Sequence, residues 1–280
     1  MRTLAEVLRL SAGYLEERGS PTPRLDAELL IGHALGLERI ELYTNFDRPL
    51  GDPELAACRA LLDRRGRREP VAYILGRWGF HGLELAVDSR VLVPRPETEV
   101  LVERCLGVLH ERPAARVLDV GTGSGAIALA IKAARPDAVV TAGDVSADAL
   151  AVAAENAARL GLEVELVESD LLVGLGGRRF DLIASNPPYV TDAEMETLEP
   201  DVAQFEPRRA LVAGPRGTEV LERLAAEAPD ALEPGGWLVV ECGASQGAAV
   251  RGLVAAAGAA ETFVAPDMAG IERVVGGRWA

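Results

Sequence analysis

Beyond Pro113 the chain alternates short apolar runs of strand length with longer stretches of helical periodicity, an order that few folds accommodate. Strands are expected over residues 117–120, 138–142, 164–167, 180–184 and 237–241. Helices are expected over 126–134 and 147–160, and from about residues 218 and 246. A strand followed by a crossover helix and another strand builds a parallel pair. The run therefore predicts a mostly parallel, doubly wound α/β sheet with helices on both faces. Residues 261–265 and 271–275 read as two closing strands with no helix between them, which predicts an antiparallel edge.

The first part of the chain has a different pattern. Leu4, Val7, Leu8 and Leu15 recur at helical spacing before Gly19, and a Ser-Pro-Thr-Pro break follows. Ala27, Leu30, Ile31, Ala34 and Leu35 mark a second apolar face that stops at Gly36. Asp52 and Pro53 open a third helix, continued by Leu55, Leu61 and Leu62. A bundle of about four or five short helices is expected. From Tyr73 short alternating runs take over (Trp78, Phe80, Leu83, Leu85, Val87, Val91, Val93), with Gly79 and Gly82 between them. This reads as a hairpin joining two domains, ended by Pro94-Arg95-Pro96 and followed by a helix over about 97–110. The division is a helical domain over 1–72, a β-hairpin linker over 73–95 and an α/β domain over 96–280.

Composition narrows the function. No apolar stretch is long enough to span a bilayer, and Glu6, Glu16 and Glu17 interrupt any signal-like N-terminus, so a cytoplasmic protein with no membrane partner is expected. Cys58, Cys105 and Cys242 are far apart and lack any paired spacing; they read as buried thiols, with no disulfide framework and no metal site. The net charge of -14 argues against direct, non-specific nucleic-acid binding. Residues 1–75 carry 11 Arg against 12 acidic residues, so nearly all of the negative charge falls on the α/β part. The one basic run, Arg64, Arg65, Arg67 and Arg68, is either a solvated helix end or a contact to an RNA-bound partner.

Two motifs carry the chemistry. The first is Gly121-Thr122-Gly123-Ser124-Gly125, between the first strand and its helix. Glycines there let the backbone turn sharply and approach a ligand closely. Their alternate-residue spacing fits neither a dinucleotide fingerprint nor a phosphate loop, which leaves a nucleoside without a pyrophosphate. Asp144 ends the next strand, where a carboxylate can accept both ribose hydroxyls; its other possible role is to cap the following helix, in competition with Ser146. Asp170, placed at the end of the third strand, either meets an adenine amine or serves as a cap or surface charge. This segment resembles the nucleoside site of class I S-adenosylmethionine methyltransferases. A strongly acidic domain suits that cofactor, a sulfonium cation.

The second motif is Asn186-Pro187-Pro188-Tyr189, closing the fourth strand at the carboxyl edge of the sheet. The prolines end the ladder and stiffen the backbone. The Asn186 side-chain carbonyl and the Pro187 backbone carbonyl are two rigid acceptors for the hydrogens of an NH2 group, and Tyr189 can pack on its flat face. Fixed acceptors orient a planar nitrogen for methyl transfer and stabilise the positive charge that grows on it, so no strong base is needed. His33, His81 and His110 lie outside the motif and read as structural.

Such a motif serves both amide and adenine nitrogens. The surrounding segments, Val93-Pro94-Arg95-Pro96-Glu97-Thr98-Glu99, the glycine loop, Asn186-Pro187-Pro188-Tyr189-Val190, and Glu206-Pro207-Arg208 with Ala210-Leu211, resemble the release factor glutamine methyltransferase family over essentially the whole chain. The resemblance implies an N-terminal helical bundle joined to a seven-stranded class I methyltransferase domain. It implies methylation of the glutamine side-chain amide in the Gly-Gly-Gln motif of peptide chain release factors, a step in translation termination, with S-adenosylmethionine as donor. By the same likeness Gly121, Thr122, Gly123, Ser124, Gly125, Asp144, Asp170, Leu171 and Asn186 line the cofactor site. Asn186, Pro187, Pro188 and Tyr189 hold the substrate amide, and Arg95 with the Pro-Glu-Thr-Glu segment borders the cleft. Leu171 departs from the family, where an aromatic residue is common, and offers apolar contact in place of stacking. The helical domain would grip the release factor. The alternative is an adenine-N6 methyltransferase of nucleic acids, which the acidic surplus opposes.

Overall fold

The computed structural model describes residues 2–280, which divide into two compact units. One comprises the chain up to Arg77 together with Glu199–Phe205; the other comprises Trp78–Leu198 and Glu206–Ala280. Among the described residues no helix is long and apolar enough to cross a membrane.

In the first unit α1 (Leu4–Glu17), α2 (Pro23–Leu35), α3 (Arg39–Thr44), α4 (Asp52–Gly66) and α5 (Val71–Leu75) follow one another. Thr3 caps α1 in a capping box with Glu6, and Gly36 ends α2 in the left-handed conformation. Leu4, Leu15, Leu30, Ile31 and Leu42 are fully buried, so the apolar stripes read from the sequence do form the core of this unit. Tyr73, expected in a hairpin, lies in α5.

The second unit opens with β1 (Arg77–Phe80) and β2 (Leu83–Ala86), a hairpin turning through His81 and Gly82, both at positive φ. The hairpin is shorter than the expected 73–95: residues 87–95 run without a strand to α6 (Pro96–Val108), and the alternation of Val87, Val91 and Val93 reflects three buried side chains on a coil. Then come β3 (Arg116–Val120), α7 (Ala126–Ala134), β4 (Val139–Asp144), α8 (Ala147–Leu160), β5 (Glu165–Glu168), β6 (Phe180–Ser185), β7 (Val190–Thr191), α9 (Asp192–Met195), α10 (Pro200–Phe205), α11 (Arg208–Leu211), β8 (Val212–Gly214), α12 (Glu219–Ala231), β9 (Leu232–Glu241), α13 (Gly247–Ala256), β10 (Glu261–Pro266) and β11 (Glu272–Arg278).

Seven strands form one sheet in the order β10-β11-β9-β6-β3-β4-β5, mostly parallel, as expected. β11 alone runs against its neighbours, wedged between β9 and β10, which leaves β10 at the edge. Val117, Leu118, Leu182, Ile183 and Val239 are buried to within 1% of complete, the signature of strands covered on both faces. The strand order reverses at β3, between β4 and β6. In open α/β sheets that crevice is where ligands bind.

The stretch between β7 and β8 had no expected elements. β7 and β8 pair in parallel, and the excursion between them carries α10, which belongs to the first unit. Only half of the Arg cluster is a solvated helix end: Arg64 and Arg67 are exposed, whereas Arg65 and Arg68 are drawn into ion pairs. Arg65 is 3% exposed and bonds Asp26 at 2.7 Å and Asp201 at 3.1 Å. Arg68 bonds Asp201 at 2.9 Å and Glu199 at 2.8 Å, and Arg64 pairs with Glu69. Burial forces charges to pair, and Arg65 and Arg68 are committed to carboxylates of their own unit.

Candidate active site

The glycine loop follows β3 directly. The Gly143 carbonyl on β4 accepts the amides of Gly121 (2.8 Å) and Thr122 (3.0 Å), which pins the loop across the strand reversal. Its three glycines serve two purposes. Gly121 and Gly123, at φ 71° and 55°, face open space: a Cβ on either would meet nothing within 4 Å. Gly125, at φ 84°, is packed: a Cβ there would lie 2.9 Å from Leu129 Cδ1 and 3.3 Å from the Ala153 methyl. The first two leave room for a ligand; the third lets the loop settle on α7 and α8.

Two buried side chains that sequence reasoning missed hold this loop. Asp119 Oδ2 accepts the Thr122 hydroxyl at 2.6 Å and the Ala128 amide at 3.1 Å. Among the described residues its Oδ1 has no partner, and burial raises the carboxyl to about 7. Asn156, fully buried on α8, donates to the carbonyls of Ser124 and Ala86 and accepts the Ala86 amide, so one side chain ties the loop to the end of the hairpin. Asp119 is local, two residues ahead of the loop, and its role went unread; Asn156 carries no local motif and reaches the loop only through the fold.

A cleft of about 230 Å³ lies beside the loop. Gly121, Gly123, Asp144, Asp170, Leu171, Asn186 and Pro188 all line it. Thr122 and Ser124 line an adjoining recess with Arg95, Thr98 and Asn186. Asp144 Oδ2 accepts the Gly123 amide at 3.0 Å, and Oδ1 accepts the Ser146 amide at 2.9 Å. The cap of α8 falls to Ser146, whose hydroxyl accepts from Ala149. Asp144 is thereby held at the cleft wall with lone pairs to spare.

Asp170 lies beyond the end of β5, not on it, and its exposed carboxylate forms a two-bond pair with Arg223 at 3.2 Å. Leu171 adopts φ 54° and packs partly on the core while facing the cleft. Pro187 is buried, and the Tyr189 ring is half-buried against the core, its carbonyl bonded by Gln246 Nε2 at 3.1 Å.

Beneath the Asn-Pro-Pro-Tyr segment lies a buried chain of polar groups. Asn186 Nδ2 donates to Thr98 Oγ1 (3.0 Å), and the Thr98 hydroxyl donates to Glu241 Oε2 (2.6 Å). The Tyr189 hydroxyl sits 3.4 Å from Glu241 Oε1, long for such a bond. Thr98 is the threonine of the Pro-Glu-Thr-Glu segment, on the first turn of α6; Glu241 ends β9. Burial raises Glu241 to about 7 and pushes the Tyr189 phenol up. Among the described residues, Asn186 Oδ1 takes no protein donor, so this acceptor is left for the cleft. A second buried pair joins the flanking segments, where Glu206 accepts Arg95 at 2.6 Å and the Val93 amide at 3.3 Å.

The architecture matches known proteins. Residues 6–76 fit the PrmC N-terminal domain, and residues 97–204 fit the methyltransferase small domain. A methyltransferase structure from Pyrococcus furiosus shares the fold, with a TM-score of 0.51 at 21% identity over 70% of this chain and 89% of that one. The release factor glutamine methyltransferase of Geobacter sulfurreducens is 48% identical over 99% of this chain and 96% of its own length. That of Rhodopirellula baltica is 42% identical over 98% and 95%. Identity at this level across both units leaves no part of the chain unaccounted for, and the chain belongs to the release factor glutamine methyltransferase family.

Proposed function

We infer that the protein transfers a methyl group from S-adenosylmethionine to the side-chain amide nitrogen of the glutamine in the Gly-Gly-Gln motif of peptide chain release factors. The observation that carries this reading is Asn186, which faces the cleft with its Nδ2 committed to Thr98 and its Oδ1 free of protein donors.

The residues present suit the cofactor. Open space in front of Gly121 and Gly123 admits a ligand against bare backbone, and Asp144 offers a carboxylate at the cleft wall for two ribose hydroxyls. Leu171 supplies an apolar surface for a flat base. Asp170, engaged with Arg223, is the weaker candidate for the base's amine, since it must keep or break that pair. When bound, the cofactor supplies an electrophilic methyl on a positively charged sulfur.

The chain's own residues do the rest. Asn186 Oδ1 and the Pro187 carbonyl each accept one hydrogen of the substrate NH2, which turns the nitrogen lone pair toward the methyl carbon. Pro188 lines the cleft, and the two prolines hold the motif rigid. The two carbonyl oxygens would stabilise the positive charge that grows on the nitrogen during methyl transfer. The amide proton, acidic once nitrogen carries the methyl, then leaves to solvent. The helical unit serves as the grip on the release factor, and the protein works in the cytoplasm, where that substrate is found.

The test is radiolabelled methyl transfer from S-adenosylmethionine to purified release factor, with mass spectrometry of the Gly-Gly-Gln peptide. One added methyl on that glutamine is expected, with loss of at least about 100-fold in kcat for Asn186→Ala. Transfer to another residue, or full activity in that variant, would refute the reading.

A further inference from the structure

We propose that Thr98 and Glu241 are positioning residues that dictate which end of the Asn186 amide faces the substrate. This rests on the reading of Asn186 as the acceptor for a substrate NH2. An asparagine amide is two-ended: a half-turn about its last torsion exchanges the carbonyl for the NH2 at little intrinsic cost. Only one end can hold a substrate NH2; the other repels it. Some neighbour must choose.

The buried chain of groups makes that choice. An ionised carboxylate only accepts. At 2.6 Å, Glu241 Oε2 therefore claims the single hydrogen of the Thr98 hydroxyl. Thr98 Oγ1 is left with lone pairs, and the group it meets at 3.0 Å must be the Asn186 NH2. Oδ1 is thereby turned outward. The two contacts span 143 and 88 residues of sequence, joining α6, β9 and the end of β6. Glu241 is 1% exposed, and burying a carboxylate is costly. A glutamine would fill the same space without that cost, but it could present either end to Thr98 and would enforce nothing. The acceptor-only character of the acid is what the site uses.

The arrangement is pH-sensitive. Burial, with Glu97 on α6, opposes the ionised form; the Thr98 hydroxyl, Arg273 on β11 beside Glu241's sheet partner Val274, and the Tyr189 phenol favour it. Arg95 acts on the Tyr189 phenol, and Arg273 is itself bonded to Asp267. The balance leaves the carboxyl titrating at about 7. Protonated, Glu241 can donate to Thr98. Thr98 then donates to Asn186, Oδ1 turns inward, and the cleft meets an NH2 in place of an acceptor.

The experiment compares the full chain with Thr98→Val, Thr98→Ser and Glu241→Gln. It measures methyl transfer to intact release factor between pH 5.5 and 8.5, S-adenosylhomocysteine binding by calorimetry, and the Asn186 side-chain 15N–1H signals. Thr98→Val should lose about 10–100-fold in kcat with cofactor-product affinity within about twofold, and Thr98→Ser should recover most of the loss. Wild-type activity should fall as pH drops through about 7, and Glu241→Gln should flatten that limb. The Asn186 signals should shift across the same range in the wild type and stay still in Glu241→Gln. Wild-type rates in Thr98→Val, or Asn186 signals indifferent to pH, overturn the proposal. A wild-type protein that binds the cofactor product and methylates no release factor overturns the functional reading beneath it, while the Asn186 signals still report on the network.

Discussion

Replacing Arg65 with methionine tests how the helical unit is held together. The guanidinium is 3% exposed, bonds Asp26 Oδ2 at 2.7 Å and Asp201 Oδ2 at 3.1 Å, and donates to the Glu69 carbonyl at 3.2 Å. Methionine keeps the aliphatic stem and removes the charge and all three bonds. Removing one partner of a buried ion pair typically costs about 3–5 kcal/mol, because the other charge is left stranded. Here two facts reduce the loss. Asp26 keeps the hydroxyls of Ser20 (2.7 Å) and Thr22 (2.8 Å), and Asp201 keeps Arg68 at 2.9 Å. A destabilisation of about 3 kcal/mol is expected. All three tryptophans (Trp78, Trp237, Trp279) lie in the other unit, so tryptophan fluorescence would miss the event. Hydrogen exchange read by mass spectrometry resolves it. Peptides from α2 and α4, and from Glu199–Phe205, should exchange on the order of 100-fold faster, while β3 and β6 stay protected. Adding Asp26→Asn should recover part of the loss, since the stranded charge is gone. Exchange within about threefold of wild type in the single variant would refute the argument that this pair is buried and coupled.

Three further outcomes are expected. Gly125→Ala should destabilise the second unit by at least about 1–2 kcal/mol, from positive φ and the crowding against Leu129 and Ala153, as read in urea melts. Asp144→Ala should weaken S-adenosylhomocysteine binding by about 10-fold or more in calorimetry, because the cleft loses its carboxylate and the Gly123 amide its partner. Asp119 carries a carboxyl raised from 3.8 to about 7, so the folded chain binds that proton more tightly than the unfolded one. Its contribution to stability is therefore full below about pH 4 and declines through about pH 7. Asp119→Asn should flatten that part of the stability profile in denaturant melts, and an unchanged slope would contradict the raised value.

Much of the cleft's lining is legible in the sequence. The glycine loop, Asp144 and the Asn-Pro-Pro-Tyr segment are local in sequence, and each has one place in an alternating sheet: the carboxyl end of a strand where the order reverses. Leu171 too reaches the cleft, through a left-handed backbone that no pattern announces. The position of Asp170 after the third strand was legible, but its pairing with Arg223 on α12 depends on a helix far along the chain.

By itself the sequence determined the fold class, the helical first part, and the places of the glycine loop and the Asn-Pro-Pro-Tyr segment. Strand and helix periodicities, glycine turns and proline stops act over a few residues, so they are written where they operate. Only the tertiary structure decided the groups that act across distance. Thr98 and Glu241 meet beneath Asn186 because α6 packs beside β9. Asn156 joins hairpin to loop, and Glu199–Phe205 leaves the α/β chain to pair with Arg65 and Arg68. The same arginines read as a solvated helix end in sequence, because exposure is a property of what packs against a residue and no local pattern encodes it. The Asn-Pro-Pro-Tyr motif is local; which end of its asparagine faces the cleft is chosen by residues that only folding brings underneath it.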